Sequence, residues 1–143
     1  MDHHSNQLTV EGYFKNLAGI DDFVSEAAKQ AGLADRAVYA VKMAVDEACT
    51  NIIEHAYGGE GRGQIRLVYH IQGDGLKIVI YDQGEPFAPT HVPELDIEAP
   101  LEARQSGGMG IFFIRRLMDQ VEFTFGTPEG NRLTLFKRRE SIS

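Results

Sequence analysis

The sequence lacks several features that define whole classes of protein. It has a single cysteine, Cys49, so no internal disulfide can form. No apolar run approaches the ~20 residues that a helix needs to cross a bilayer, and the segment Met1 to Leu8 lacks the apolar core of a signal peptide. These absences predict a cytoplasmic protein without a membrane partner.

Basic residues are also scarce. The chain has 14 Lys and Arg against 21 Asp and Glu, for a net charge of −7, whereas binding to nucleic-acid phosphates requires a basic surface. No direct nucleic-acid partner is therefore expected. The CxxC and HExxH spacings of common zinc sites are absent as well.

Length and hydrophobic periodicity predict one α+β domain. A chain of 143 residues, 43% of them hydrophobic, can bury one core and is too short for two ordinary domains. We therefore expect a single domain over residues 1–143, with a core at about 7–138. Apolar residues at three- and four-residue steps predict one helix from Leu17 to Ala31 and a second that Asp35 caps and that ends at the glycines after Tyr57.

The predicted strands form a largely antiparallel sheet with the helices on one face. Gln64 to Gln72 and Leu76 to Asp82 are rich in β-branched and aromatic residues and predict a central hairpin. Residues 83–107 hold four of the five prolines and show no sustained periodicity, which is typical of a functional or mobile connection. The remaining predicted elements are an edge strand, a short helix and a final hairpin: Gln7 to Tyr13, Ile111 to Met118, 121–125 and 131–137.

The predicted second helix carries polar residues at four-residue steps, Glu47, Asn51 and His55. This spacing stacks them in one row, which fits either the solvated face of an amphipathic helix or a group aimed at a ligand. For a ligand, Glu47 is a candidate general base and the amide oxygen of Asn51 a candidate Mg²⁺ ligand. His55 either orients a neighbour or makes structural hydrogen bonds.

Two further motifs each allow two interpretations. Asp82 and Gly84 follow a hydrophobic strand, where an acid can accept hydrogen bonds from a polar ring, although an ordinary turn has the same pattern. Residues 106–110 place three glycines before a helix and suit either a phosphate or a flexible hinge. They are not a P-loop, because no Lys-Ser or Lys-Thr pair follows them. Together the three clusters supply the parts of a Mg-nucleotide site, beside a connection long enough to close over it.

Three motifs in this order resemble those of the ATPase superfamily of gyrase, histidine kinases and MutL. EACTNIIEHAY is similar to the N box of that superfamily, DQGEPF to its first glycine box and SGGMGI to its second. The resemblance covers about residues 7–138 and is closer to the single-domain anti-sigma-factor serine kinases. It implies a two-layer α/β sandwich that binds ATP between the helices and a lid at about 83–107.

The resemblance also implies a role for individual residues. Glu47 would be the catalytic base, Asn51 the Mg²⁺ ligand, Asp82 the adenine reader and Gly84 its close-approach partner. The phosphates would lie against Gly108, Met109 and Gly110. Thr134, on the last strand, would sit near the adenine, although a Thr in a strand is also an ordinary packing residue.

The chain departs from the superfamily at two places. Glu85-Pro86-Phe87 stands where many members have a second glycine, a form that resembles the regulatory kinases and differs from sensor histidine kinases. The lid has no lysine, so Arg104 is its only Lys or Arg side chain for contact with the γ-phosphate.

Two functions follow from the resemblance. The first is a partner-switching kinase that sequesters a sigma factor or similar regulator and phosphorylates a serine of an antagonist protein. The second is a nucleotide-gated binding module with little or no transfer activity. The family further suggests a homodimer, while the sequence does not identify the partner.

Overall fold

The computed structural model describes residues 6–85 and 108–140 of the chain. Most of the predicted lid lies outside these residues, including Arg104 and the Ser106-Gly107 pair. No helix within the described ranges is long and apolar enough to cross a bilayer. The helices and strands are, in chain order, β1 (Gln7–Glu11), α1 (Leu17–Gln30), α2 (Asp35–Asn51), β2 (Gln64–Gln72), β3 (Gly75–Asp82), α3 (Gly108–Leu117), β4 (Gln120–Thr127) and β5 (Gly130–Arg138).

The five strands form one antiparallel sheet in the order β1-β2-β3-β5-β4. The central strand β3 therefore pairs with β2 on one side and with β5 on the other. Its inward residues Leu76, Ile78 and Ile80 are fully buried, as expected for a strand that has neighbours at both edges and helices on one face. This architecture confirms the predicted α+β sandwich.

The helix α2 lies between α1 and α3 and packs on both. Its buried face consists mainly of Val and Ala, together with Cys49. Small side chains allow the helix to lie close to its neighbours and to the sheet, and each fully buried Val contributes about 1.5–3 kcal/mol to stability. The end of α2 that carries Asn51 is thereby held against the sheet.

Two predicted boundaries are wrong in detail. Asp35 is the first residue of α2 rather than its cap; Ala34 holds the cap position, and no side chain hydrogen-bonds there. The Asp35 carboxylate still favours this end, because it lies in the first turn near the positive end of the helix dipole. The first strand ends at Glu11, because the Tyr13 N–H donates back to the Glu11 carbonyl and a 3₁₀ turn begins at Phe14.

The helix after Asn51 widens into a π-helical turn, Ile52–Ala56. Hydrophobic periodicity does not distinguish this turn from the α-helix that precedes it, so the sequence predicted one continuous helix. π-helical turns inside α-helices occur frequently at functional sites. Here the turn directly follows the candidate metal ligand.

Candidate functional site

A cavity lies between the end of α2, the helix α3 and the neighbouring strands β3, β5 and β4. Its polar lining includes Asn51, Asp82 and Asn131, and its apolar lining includes Ile111 and Phe123. The cavity volume is about 20 Å³, room for about one water molecule. A larger ligand therefore enters only if the surrounding side chains move.

Asp82 lies at the end of β3, where the cavity meets the sheet. The residue is 6% exposed, and its Oδ1 accepts hydrogen bonds from the Gly84 N–H at 2.8 Å and from Asn131 Nδ2 at 2.9 Å. Burial raises the pKa of Asp82, while these two hydrogen bonds oppose the rise. Both of these hydrogen bonds fall on Oδ1.

Asn51 is the second buried polar residue of the cavity. It is 4% exposed, and its Nδ2 has no hydrogen-bond partner among the described residues. A buried amide without a partner costs about 1–3 kcal/mol of stability, so natural proteins tend to keep one where a ligand satisfies it. Asn51 thus adds to the cavity lining a polar group that no described residue satisfies.

Glu47 lies one helical turn before Asn51, outside the lining of the cavity and partly exposed. Burial raises its pKa most, the Asp46 and Glu54 carboxylates raise it further, and His55 lowers it. A carboxylate with a raised pKa is a better proton acceptor near neutral pH. Glu47 is therefore a candidate proton acceptor that does not line the cavity of Asn51 and Asp82.

His55 does not continue the row of Glu47 and Asn51. It is exposed whereas Asn51 is buried, because the π-helical turn rotates the residues after Asn51 away from uniform α-helical spacing. It acts on the candidate base electrostatically, because it lowers the pKa of Glu47.

Position 84 has no room for a side chain, because the turn after Asp82 packs on the backbone of Ala56. A Cβ there would lie 2.6 Å from the carbonyl carbon and oxygen of Ala56, and the next residue, Glu85, donates its N–H to that oxygen at 2.8 Å. The turn after Asp82 is thus closely packed on the end of the π-helical turn. The sequence predicted close approach at Gly84, with a ring rather than a backbone as the neighbour.

Thr134 does not belong to this site, which corrects the sequence-based expectation. It pairs with Val79 across β3 and lines the opposite face of the sheet, beside Lys77 and Phe136. Residue 134 is three positions from Asn131 in the strand, and such residues face opposite sides of a sheet.

Asn131 was missed by sequence reasoning. It pairs directly with Asp82, and its Nδ2 also donates to the Gly84 carbonyl at 2.9 Å. The sequence of β5 could have indicated it, because Asn131 lies on the same face of the strand as Leu133 and Leu135, which are buried.

The glycine-rich segment enters the described structure at Gly108, the first residue of α3. The N–H groups of Gly108, Met109 and Gly110 belong to the first turn, where an α-helix leaves its N–H groups without partners inside the helix. No cluster of three or more His, Cys, Asp or Glu side chains that could hold a metal occurs in residues 6–85 and 108–140.

A sequence profile of the histidine kinase-like ATPase domain matches residues 14–137. The chain belongs to this family. It is 34% identical over 140 residues to the serine-protein kinase RsbW of Halalkalibacterium halodurans, which covers 95% of this chain and 85% of the relative.

Two further relatives have the same name. RsbW of Listeria innocua is 36% identical over 106 residues, 71% of this chain and 68% of its own length. RsbW of Bacillus mycoides is 33% identical over 122 residues, 78% of this chain and 76% of its own. These similarities confirm the resemblance to the anti-sigma-factor serine kinases. This chain belongs to that branch of the histidine kinase-like ATPase family.

Proposed function

We propose that this protein is a regulatory serine kinase that binds Mg-ATP, sequesters a sigma factor or similar regulator, and phosphorylates a serine of an antagonist protein in the cytoplasm. The observation that carries the proposal is the buried Nδ2 of Asn51, which has no hydrogen-bond partner among the described residues and belongs to a residue that lines the same cavity as Asp82. Glu47 lies one turn from that amide. One helix thus carries a candidate proton acceptor and a candidate metal ligand.

Asp82 would hold the base of the nucleotide. Its Oδ2 can accept a hydrogen bond from an exocyclic amino group, which adenine has, while Asn131 and the Gly84 N–H hold Oδ1 in place. Apolar side chains such as Ile114 would cover the ring faces. Because the cavity is about 20 Å³, this binding also requires side chains around it, such as Phe123, to move.

Asn51 would hold Mg²⁺ through its amide oxygen, and its Nδ2, which is a donor, would bond to a phosphate oxygen. The first-turn N–H groups of α3 would bind further phosphate oxygens. The metal ion would neutralise phosphate charge during transfer. Glu47 would accept the proton of the attacking serine hydroxyl, for which its raised pKa suits it. The contribution of the protein is therefore mainly orientation and charge placement, as in other phosphoryl transfers.

The relatives support the kinase part of this proposal through their shared name, serine-protein kinase RsbW. A sigma factor or similar regulator, an antagonist protein as substrate, and a homodimer follow from the resemblance of the three motifs. The described surface does not by itself select among partners.

Two measurements test the proposal. Calorimetry with Mg²⁺ should detect uptake of ATP by folded protein, and labelled ATP incubated with a candidate antagonist should produce phosphoserine. Absence of nucleotide uptake would refute the proposal. Uptake without transfer to any antagonist would instead favour the nucleotide-gated binding module.

A further inference from the structure

The hydroxyl of Tyr57 joins three parts of the chain. Tyr57 follows the π-helical turn, and its hydroxyl donates a hydrogen bond to the Gln64 carbonyl at 2.6 Å. The same oxygen accepts the N–H of Gln83 at 2.8 Å. The end of the helical segment, the start of β2 and the residue after Asp82 therefore meet at one oxygen atom.

The ring of Tyr57 is held in a slot that glycine creates. A Cβ on Gly63 would overlap the ring edge and the hydroxyl of Tyr57, so a side chain there would displace the ring. The backbone of Gly63 is itself anchored, because its carbonyl accepts the Gly12 N–H at 2.8 Å. Burial raises the pKa of Tyr57, so the hydroxyl keeps the proton that it donates to Gln64.

The turn after Asp82 has a second link to the same segment, two residues further along. Glu85 donates its N–H to the Ala56 carbonyl at 2.8 Å. Between the two links lies the Gly84 N–H, which donates to Asp82 Oδ1. The direction of the Asp82 carboxylate is thus coupled to a turn that Ala56 and Tyr57 hold at both ends.

We propose that Tyr57 is a positioning residue for base recognition: its hydroxyl fixes the backbone at Gln83 and so directs the Asp82 carboxylate toward the exocyclic amino group of the base. This inference rests on the proposed function, in which Asp82 reads adenine. It adds that the segment from Asn51 to Tyr57 controls both ends of the nucleotide, the metal end through Asn51 and the base end through Tyr57.

The decisive experiment compares Tyr57→Phe with the wild type for binding of ATP and of inosine triphosphate, which has a carbonyl oxygen in place of the amino group. Tyr69→Phe is the matched control, because it also loses a hydrogen-bonded hydroxyl, to Gln30, away from the cavity. The wild type and Tyr69→Phe should prefer ATP. Tyr57→Phe should lose about tenfold of that preference, the effect expected for one hydrogen bond.

A structural readout accompanies the binding measurements. Hydrogen exchange at the Gln83 amide should be faster in Tyr57→Phe than in Tyr69→Phe, because that N–H loses its acceptor. Gly63→Ala reaches the same interaction by a second route, since the added methyl displaces the ring while the hydroxyl remains. It should reduce the ATP preference as well.

The outcomes separate this inference from the proposed function. A wild type that binds no nucleotide, or that does not discriminate between the two triphosphates, refutes the role of Asp82 and the Tyr57 inference with it. A discriminating wild type whose preference is unchanged in folded Tyr57→Phe and Gly63→Ala refutes only the role of Tyr57.

Discussion

Asn131 donates a hydrogen bond from Nδ2 to Oδ1 of Asp82 at 2.9 Å, across paired positions of β5 and β3. Both residues are 6% exposed. The bond lowers the cost of burying the Asp82 carboxylate and holds it beside the cavity. In contrast, the buried Nδ2 of Asn51, which lines the same cavity, has no partner among the described residues.

This contrast predicts stability changes of opposite sign for two Asn→Leu substitutions. Asn51→Leu removes an unsatisfied donor and should raise the free energy of unfolding by about 1 kcal/mol while abolishing Mg-dependent ATP binding. Asn131→Leu removes a satisfied donor and should lower the free energy of unfolding by about 1–3 kcal/mol. Urea denaturation and calorimetry with ATP measure both effects. A destabilised Asn51→Leu would show that this amide has a structural partner.

Glu47→Gln should separate binding from transfer. The amide keeps the shape of the side chain but is not a proton acceptor, so ATP affinity should stay within about twofold while the rate of serine phosphorylation falls at least about 100-fold. Glu122→Gln, on the exposed part of β4, is a control for the change of charge. Transfer at the wild-type rate by Glu47→Gln would exclude Glu47 as the base.

The pH dependence of the phosphoryl-transfer rate should reflect the protonation of Glu47. Burial and the Asp46 carboxylate raise the pKa of Glu47, and a base is inactive when protonated, so the rate should fall as the pH drops through this pKa. Asp46→Asn removes one cause of the rise and should move the acid limb of the pH–rate profile to lower pH. Asp22→Asn, on the exposed face of α1, should leave the limb in place. If the acid limb of the pH–rate profile stayed at the same pH in Asp46→Asn, the assignment of Glu47 as the base would be contradicted.

The raised pKa of Asp21 predicts that its protonation at low pH stabilises the folded protein. Burial and the Asp46 carboxylate raise its pKa to about 6. Because the pKa is higher in the folded than in the unfolded protein, the stability contributed by protonated Asp21 is present below about pH 4 and is lost as the pH rises through about 6.

Asp21→Asn should therefore stabilise the fold at pH 7.5 by about 1 kcal/mol, a value reduced for the partial exposure of Asp21, and should have little effect near pH 4. Thermal unfolding at the two pH values measures the difference. Glu26→Gln, also on the exposed face of α1, is the control. An equal effect of Asp21→Asn at both pH values would show that titration is not its cause.

Gly84 and Gly73 provide a matched pair for packing. A methyl group at Gly84 would overlap the Ala56 backbone, whereas one at Gly73 meets nothing within 4 Å. Gly84→Ala should lower the free energy of unfolding by about 1–3 kcal/mol, because the backbone cannot yield as a flexible side chain would. Gly73→Ala should be nearly neutral. Equal unfolding midpoints for the two variants would show that the turn after Asp82 can move away from Ala56 without loss of stability.

Local sequence patterns were enough to predict the five described strands and the three described α-helices, and they selected Asn51 and Asp82 as candidate site residues. Three details were beyond them. The cap of α2, the π-helical turn and the neighbour of Gly84 depend on contacts between distant segments or on small changes in helical winding. The error at Thr134 is different, because the alternation of β5 already placed Asn131 and Leu133 on the inner face and Thr134 on the outer one.

The sequence by itself determined which chemical groups are available and which elements carry them, since periodicity and turn residues act over a few positions. Only the tertiary structure decided that β5 lies between β3 and β4, which brings Asn131 to Asp82 and leaves Asn51 facing the same cavity. Strand order depends on pairing between residues far apart in the chain. Asp82 and Asn131 are 49 positions apart, and no local pattern specifies that they meet.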